Sequence, residues 1–386
     1  MKYKWPLNVN NFSWIDRLRI SRFILDHRNR WTQDVYVERF EREFADFVKS
    51  KHAVFVSSGS TANTLLAMYL KDTVSAEQTE VVLPAVTWTT SCSPFIREGF
   101  QPVFIDVSMS DFSIDIPKLE AYVAQNAKRI AVIFVTSLLG FTPDISELKR
   151  IESQYGVRVW LDNCEATFAS VNGTNISSLF TSTTSTYFGH QLQSIEGGFI
   201  FTNDEREHEY FLMNRNHGMV RSLPESAQAR YQNSKVDKRF DFYSLGNNFR
   251  NTNLNAFIGL LDFQRRAKYI TARKRLFCLF KLLLDPNKYY VPDGDHIPFC
   301  LPIVSIGPSG KHRHKRAQQL CDSLSIETRP IISGFLGYQN AYSIYFDEND
   351  TYPNAKYLHE HGFYVGLYSQ VSVKQVVNLV KQLNQL

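Results

Sequence analysis

The sequence predicts an α/β fold in which a large domain with a mostly parallel β-sheet precedes a smaller α/β domain. Short apolar runs of strand length alternate with helical patterns from about residue 34 to residue 205, which is typical of a parallel sheet covered on both faces. After Asp204 this alternation ends. The 386 residues suffice for two domains, because single cores rarely grow beyond about 250–300 residues.

The first half of the chain carries the predicted elements of the large domain in a regular order. Val37, Phe40, Phe44 and Val48 recur at helical spacing and predict an amphipathic helix before the first strand. Gly156 predicts the end of a later helix. The predicted strands are 53–56, 81–83, 103–107, 130–135, 157–161 and 197–202, and the predicted helices between them are 61–71, 116–125 and 146–155.

The second half of the chain has a different pattern of apolar and polar residues. A helical segment reaches Gly218, and the polar stretch 221–241 has the weak periodicity of a surface loop. Residues 253–284 predict one long helix that bridges to the small domain, where helices are expected at 315–324 and 373–383 among short strands. The expected divisions are an N-terminal segment at 1–31, the large domain at 32–252, and the bridging helix with the small domain at 253–386.

Composition and charge exclude several classes of protein. The net charge of +5 is too small to indicate nucleic-acid binding. The five cysteines follow neither a metal-binding spacing nor a disulfide framework, so we expect a reducing compartment and no metal site. The N-terminus lacks a signal-peptide pattern, and no apolar run reaches about 18 residues. We therefore expect a cytoplasmic protein that does not bind a membrane.

A hydroxyl-rich turn follows the first predicted strand. The chain reads Val56-Ser-Ser-Gly59-Ser60-Thr61, which is a strand end, a glycine turn and the start of a helix. Free N–H groups at a helix N-terminus, together with serine and threonine hydroxyls, can bind a phosphate dianion. Serine and threonine are also common N-cap residues, so the turn by itself fits an ordinary helix start better.

Four other positions carry side chains suited to binding a flat, charged ring. Asp162 and Glu165 follow the strand predicted at 157–161, and open α/β sheets bind ligands at that edge. Trp88 follows another strand and can stack on a flat ring, although tryptophan is more often plain core. Asn248 lies in a polar loop and is unremarkable by itself.

His190 lies in the segment Ser185-Thr-Tyr-Phe-Gly-His190, shortly before the motif Glu196-Gly-Gly. No lysine occurs between Lys149 and Lys235. A single histidine on a segment rich in aromatic residues is most often a buried core residue. The surrounding motifs favour a functional role instead.

Together these motifs, in this order, resemble the DegT/DnrJ/EryC1/StrS sugar aminotransferase family, whose members share the aspartate aminotransferase-like fold (fold-type I) of pyridoxal-phosphate (PLP) enzymes. The resemblance runs from about Trp31 to the C-terminus and includes the loop Gly246-x-Asn248-x-Arg250 and the late motif 325–330. It implies cofactor-binding roles for Gly59, Ser60, Thr61, Trp88, Asp162, Glu165, Ser185 and Asn248.

His190 stands where this family has its Schiff-base lysine. An imidazole cannot form an imine with the cofactor aldehyde, but it transfers protons near neutral pH. Within the family this exchange is typical of the sugar 3-dehydratases that use pyridoxamine phosphate (PMP). The resemblance therefore implies that His190 is the catalytic residue. It also implies substrate-binding roles for His217, Arg221, Arg250 and Arg329.

The implied reaction is the PMP-dependent dehydration at C3 of a nucleotide-linked 4-keto-6-deoxy sugar, with GDP-4-keto-6-deoxy-D-mannose as the expected substrate. L-Glutamate would regenerate PMP, and the protein would serve O-antigen or lipopolysaccharide synthesis as a homodimer with active sites at the subunit interface. Two alternatives remain: a nucleotide-sugar 4-aminotransferase, or an inactive family member with a binding role. The intact Asp162, Glu165, Ser185 and Trp88 argue against the inactive member.

Overall fold

The computed structural model describes residues 3–294, 296–347 and 351–386. The strands of the large domain are β1 (His52–Val56), β2 (Glu80–Pro84), β3 (Gln101–Ile105), β4 (Ile130–Thr136), β5 (Val159–Asp162), β6 (Ser170–Val171), β7 (Thr174–Asn175), β8 (Thr181–Ser185) and β9 (Gly198–Thr202). β6 and β7 form a hairpin, and the others form one sheet in the order β1-β9-β8-β5-β4-β2-β3. In this sheet only β9 is antiparallel to its neighbours. The predicted α/β fold with a mostly parallel sheet is confirmed.

The sequence prediction missed β8, because all five residues of this strand are serine or threonine. Their hydroxyls make the strand read as a loop, yet most of the strand is buried. Each buried hydroxyl is hydrogen-bonded inside the fold, as for Ser182 to Ser177 O (3.0 Å) and Thr184 to Asn163 O (3.1 Å). Burial of these polar groups is tolerated because they are satisfied.

Helices cover both faces of the sheet. They are α1 (Trp14–Leu25), α2 (Val35–Val48), α3 (Gly59–Thr73), α4 (Thr89–Arg97), α5 (Ile116–Asn126), α6 (Ile145–Tyr155), α7 (Glu205–Asn214) and α8 (Glu225–Gln228). Gly156 follows α6 with a φ of +64°, as predicted from its position. On one face, Phe40 and Phe44 of α2 pack their rings on Phe199 of β9. The strands and helices predicted up to residue 202 fall within about two residues of the observed ones. The helical segment predicted to reach Gly218 ends at Asn214, and the stretch 221–241 predicted as a loop contains α8.

The predicted single bridging helix is wrong, because residues 253–284 form two helices, α9 (Asn253–Phe263) and α10 (Arg266–Leu283). The break lies at Arg265, whose backbone leaves the helical region at φ −99° and ψ 3°. The Arg265 guanidinium forms an ion pair with the buried carboxylate of Asp16 near the start of α1. This ion pair ties the N-terminal segment to the break between the two helices.

The small domain is a four-stranded antiparallel sheet with helices packed on it. Its strands are β10 (Tyr289–Tyr290), β11 (Cys300–Ser305), β12 (Thr328–Pro330) and β13 (Gly362–Gly366), in the order β10-β11-β13-β12. Its helices are α11 (Gly310–Ser323), α12 (Pro353–His361) and α13 (Val373–Leu383). One hydrophobic cluster contains side chains of both sheets, and the domain bounds predicted from the sequence stay a prediction. Among the helices of the described residues, none has the length and hydropathy that crossing a lipid bilayer requires.

Residues 4–9, here called the N-terminal strap, run from the small domain to the large one. The Trp5 indole donates a hydrogen bond to Gly366 O of β13 at 2.9 Å. The Asn8 amide donates to Phe188 O of the large domain at 2.7 Å. The sequence motifs give no sign of this strap, because its partners lie more than 100 positions away in the chain.

Candidate functional site

A cavity of about 430 Å³ lies at the carboxyl end of β5, between the two sheets. Parallel sheets place their ligands at this edge. The large domain supplies the start of α3, the end of β5 and the segment 185–190. The small domain supplies residues of β11, β12 and β13, and the strap supplies Leu7 and Asn8.

One wall of the cavity is the N-terminus of α3, where Ser58 caps the helix by accepting from Thr61 N at 3.1 Å. Two close approaches shape this corner. A Cβ at Gly198 would lie 2.4 Å from the Ser58 carbonyl carbon, and a Cβ at Gly59 would lie 3.0 Å from Ser185 Cβ. Glycine at both positions lets β8 and β9 touch the helix start, where free N–H groups and the helix dipole favour a phosphate.

Gly59, Ser60 and Ser185 line the cavity beside this helix start, as the sequence predicts for phosphate ligands. Thr61 does not line it. The Thr61 hydroxyl instead accepts from Ser58 N at 2.9 Å and completes the helix cap. A direct contact from Thr61 to a cofactor stays a prediction, and the structure assigns its side chain to holding the turn.

Asp162 ends β5 and faces the cavity, with 3% of its surface exposed. One carboxylate oxygen accepts from Asn63 Nδ2 at 3.0 Å and from Ser91 Oγ at 2.6 Å. The other accepts from Cys164 N at 3.0 Å. Thr183 of β8 orients the Asn63 amide by donating to its oxygen at 2.7 Å. These neutral donors fix the position of the carboxylate. Among the described residues no cation pairs with it, so a protonated pyridine nitrogen is a suitable partner.

Glu165 also lines the cavity and accepts a hydrogen bond from Leu139 N at 2.7 Å. Burial raises the pKa of its carboxyl to about 8, and the charge of Asp162 adds to this shift. The carboxyl therefore carries a proton at neutral pH and can donate a hydrogen bond to an anionic oxygen. The cofactor-binding role that the family resemblance implies for Glu165 stays a prediction.

The His190 ring lies in the cavity between two aromatic rings, with centroids 6.1 Å from Tyr187 and 5.5 Å from Phe299. Its Nδ1 is enclosed and has no hydrogen-bond partner among the described residues. Burial lowers the pKa of His190 to about 4; the Asp162 carboxylate opposes this shift, and the Arg273 guanidinium adds to it. The ring is therefore neutral at physiological pH and can accept a proton. Its pKa lies further below the ordinary histidine value than the sequence alone suggests.

Trp88 completes the cofactor-sized part of the cavity. It is the N-cap residue of α4 and lines the cavity, with 53% of its surface exposed. A hydrogen bond of 2.9 Å between Ser60 and Thr90 joins the start of α3 to the start of α4. A large aromatic side chain left open to a cavity provides a face for stacking a flat ring.

Besides Thr61, four predicted site residues do not line the cavity of this chain. Asn248 is exposed and pairs its backbone with Asn216. Arg250 donates to Asn216 Oδ1 at 2.6 Å. His217 has a φ of +62°, and the Arg221 guanidinium stacks 5.5 Å from the Phe240 ring. Of the four predicted substrate-binding residues, only Arg329 lines the cavity.

Sequence reasoning missed several cavity residues, because they belong to no chemical motif. Asn63 lies one helical turn after Gly59, and its place in the cavity can be recognised only once the structure is known. Phe299 lines the cavity and Ser91 donates to Asp162, and neither carries a signal in the sequence, since their roles depend on distant contacts. Other missed residues include Leu7, Asn8 and Tyr364, and Glu327 of the late motif 325–330 also lines the cavity.

The sequence predicts no metal site. Among the described residues, one group of side chains brings three possible ligand atoms within 4.8 Å of one another, namely His52, Glu205 and His208. None of these residues lines the cavity. This group is therefore not part of the candidate site.

Comparison with known proteins agrees with the geometry. The model of the DegT/DnrJ/EryC1/StrS aminotransferase family matches residues 22–384. The GDP-4-keto-6-deoxy-D-mannose 3-dehydratase of Yersinia pseudotuberculosis is 28% identical over 362 residues, covering 91% of each chain.

Two solved structures of the same enzyme superpose closely on the chain. One is the Escherichia coli enzyme with bound hydrated PLP, which has a TM-score of 0.89 and 26% identity over 99% of each chain. Another, with a trapped PLP-glutamate geminal diamine, has a TM-score of 0.90 and 27% identity, covering 98% of this chain and all of that one.

Proposed function

The chain belongs to the DegT/DnrJ/EryC1/StrS aminotransferase family, and we propose that it is a PLP/PMP-dependent sugar 3-dehydratase. It removes water at C3 of a nucleotide-linked 4-keto-6-deoxy sugar, GDP-4-keto-6-deoxy-D-mannose, and L-glutamate regenerates PMP. The observation that carries this proposal is His190, a neutral ring in the cavity at the position of the family's lysine. The relatives of that name and the PLP-glutamate structure support the substrate and the amino donor.

The residues of the cavity fit this cofactor. The α3 N-terminus with Ser60 and Ser185 would hold its phosphate, Asp162 its ring nitrogen, and Trp88 its face. The enclosed Nδ1 of His190 has no hydrogen-bond partner among the residues that the structure describes, which indicates that the ring serves a bound molecule. When bound, PMP supplies an amine that condenses with the C4 ketone and a protonated ring that accepts electrons.

His190 then provides both proton transfers. In its neutral form it accepts a proton from carbon, and as imidazolium it donates that proton to the C3 hydroxyl, which leaves as water. The carboxylate of Asp162 stabilises the imidazolium, since its charge raises the pKa of His190 against the effect of burial. The aromatic rings of Tyr187 and Phe299 flank the imidazole and limit its contact with solvent.

Product analysis tests the function. The protein is incubated with PLP, L-glutamate and 4-keto-6-deoxy sugars linked to GDP, CDP, dTDP or UDP, and the products are identified by mass spectrometry. We expect the GDP-linked sugar to become lighter by one oxygen atom, because the C3 hydroxyl leaves as water and hydrolysis restores the C4 ketone, and we expect the reaction to release free ammonia. An amino group retained on the sugar would make the chain a 4-aminotransferase, and no turnover with any sugar would favour a binding protein.

The pH profile of kcat/KM should have an acid limb and an alkaline limb. The pKa values of both limbs should differ from those of free histidine and glutamate side chains. Because the base is neutral His190, activity should persist down to about pH 4 and fall below it, as the imidazole becomes protonated. Because Glu165 donates only when protonated, activity should fall as pH rises through about 8. In Glu165→Gln the alkaline limb should disappear while the acid limb remains. An acid limb near the ordinary histidine pKa of about 6.5 would contradict the enclosed ring.

We also propose that the protein acts as a homodimer and that the loop 246–250 of each chain reaches the cavity of the other. Supporting this, Phe242, Tyr243 and Leu245 immediately precede the loop and expose 55%, 58% and 96% of their surfaces. Adjacent exposed apolar side chains are typical of an interface. The cytoplasm is the proposed compartment, supported by the five cysteines, which are all free.

Leu245→Asp should weaken the dimer and lower activity, because the substitution places a charge among apolar side chains that we expect to be buried between subunits. Mass measurement by light scattering should show monomer at micromolar concentration. The reduction in kcat should follow the fraction of protein that is monomeric. Leu282 of α10 is also exposed, at 80%, and Leu282→Asp is the matched control. If Leu245→Asp and the control both stay dimeric and active, the interface lies elsewhere.

A further inference from the structure

The N-terminal strap is held firmly on the small domain. Leu7 N donates to Glu327 Oε2 at 3.0 Å, and Glu327 N donates to Trp5 O at 2.9 Å. A Cβ at Gly366 would lie 2.4 Å from Leu7 O, so the strap passes too close to β13 for any larger residue there. These contacts place Asn8 in the lining of the cavity.

At that point Asn8 reaches the segment that carries the proposed catalytic base. Its Nδ2 donates to Phe188 O at 2.7 Å and to His190 O at 3.4 Å, and its Oδ1 accepts from Val9 N at 2.9 Å. The amide oxygen therefore shapes the strap, while the amide N–H groups contact only the backbone around His190. Nearby, Gln193 Nε2 donates to Val9 O at 3.1 Å.

The segment 186–197 needs such support, because it forms neither helix nor strand. The imidazole of His190 touches aromatic rings but has no hydrogen bond at Nδ1 within the described part of the chain. Besides a hydrogen bond of the ring to the Cys164 backbone, its position depends on its own backbone. That backbone is fixed by His190 N donating to Tyr187 O (2.9 Å), by Phe188 N donating to Ile195 O (3.1 Å) and by Asn8.

We propose that Asn8 is a positioning residue for His190: its two donated hydrogen bonds hold the backbone that aims the imidazole into the cavity. This inference rests on the proposed function, in which His190 moves the protons. A misplacement of a reacting group by about 1 Å can lower a rate by about 100-fold. Because both amide N–H groups of Asn8 are donated to the backbone around the base, its loss should lower kcat and leave KM and PMP affinity unchanged.

Asn8→Asp separates the two functions of this side chain. Aspartate keeps the size and the acceptor for Val9 N but lacks the donors to Phe188 O and His190 O. We expect kcat to fall about 10- to 100-fold in Asn8→Asp and Asn8→Ala alike, with KM and PMP affinity within about twofold of the unsubstituted protein. The matched control is Asn10→Ala, since Asn10 is exposed on the same segment, and it should retain full kcat and the same melting temperature.

Hydrogen exchange gives a readout that needs no substrate. In Asn8→Asp holoenzyme, peptides covering 187–191 should exchange faster than in Asn10→Ala, while peptides of β4 and β5 stay unchanged. The inference is overturned if Asn8→Asp keeps kcat and exchange at the control level, or if KM or PMP affinity changes in place of kcat. If the unsubstituted protein dehydrates none of the sugars, the proposed function fails instead, and the exchange result still decides whether Asn8 holds the segment.

Discussion

His190→Gln should lower kcat about 1,000-fold or more, because it removes the only proposed group that both accepts and donates the transferred proton. Glutamine fills similar space but has no basic nitrogen. A loss of this size corresponds to about 4 kcal/mol of barrier. No lysine is among the described residues that line the cavity, so no neighbouring amine can replace the imidazole. Steady-state kinetics with the GDP-linked sugar measures the loss.

Cofactor binding should survive this substitution. The groups assigned to the phosphate, the ring nitrogen and the ring face are Ser185, Asp162 and Trp88, so the absorbance of bound PMP should be unchanged. His312→Gln is the control, because His312 is an exposed histidine on α11, and it should leave kcat intact. Retention of more than about a tenth of the activity in His190→Gln would show that another group moves the proton.

Asp162→Asn should have the second largest effect, lowering kcat about 100- to 1,000-fold, the range found when one electrostatic partner of a transition state is removed. The amide removes the negative charge that keeps a bound pyridine nitrogen protonated. It also places an N–H₂ group against the Asn63 and Ser91 donors, which now lack a charged acceptor. PMP affinity, measured by spectroscopic titration, should fall together with kcat.

A partly buried carboxyl outside the cavity, Asp111, is the control for effects of burial alone. Burial raises the pKa of Asp111 to about 6, and Asp111 does not line the cavity. Asp111→Asn should therefore leave PMP affinity and kcat near the starting values. Equal PMP affinity in Asp162→Asn and in the unsubstituted protein would contradict the proposed ion pair.

The sequence predicts the parts of this molecule whose information is local. Continuous apolar runs identify β2, β4 and β5, since strands buried on both faces contain little else. Asp162 could be placed at the cavity because a carboxylate directly after a buried strand must lie at the edge of the sheet. β8 could not be predicted, because its buried hydroxyls are satisfied by partners that the sequence does not show.

The remaining features depend on contacts between distant parts of the chain. Asn8 and His190 are 182 positions apart, and no periodicity connects them. The break between α9 and α10 lies at Arg265, whose ion-pair partner Asp16 is again far away in the sequence. Asn248 and Arg250 match a family motif, yet their predicted roles require a second chain.

Borohydride reduction tests most directly whether His190 has replaced covalent anchoring. Holoenzyme prepared with PLP is reduced and denatured, and its intact mass is measured. We predict the mass of the polypeptide alone, because an imidazole cannot hold the coenzyme through a reducible bond, while a family member with its lysine should gain the coenzyme under the same conditions. A reduced coenzyme attached to a lysine of this chain would contradict the account.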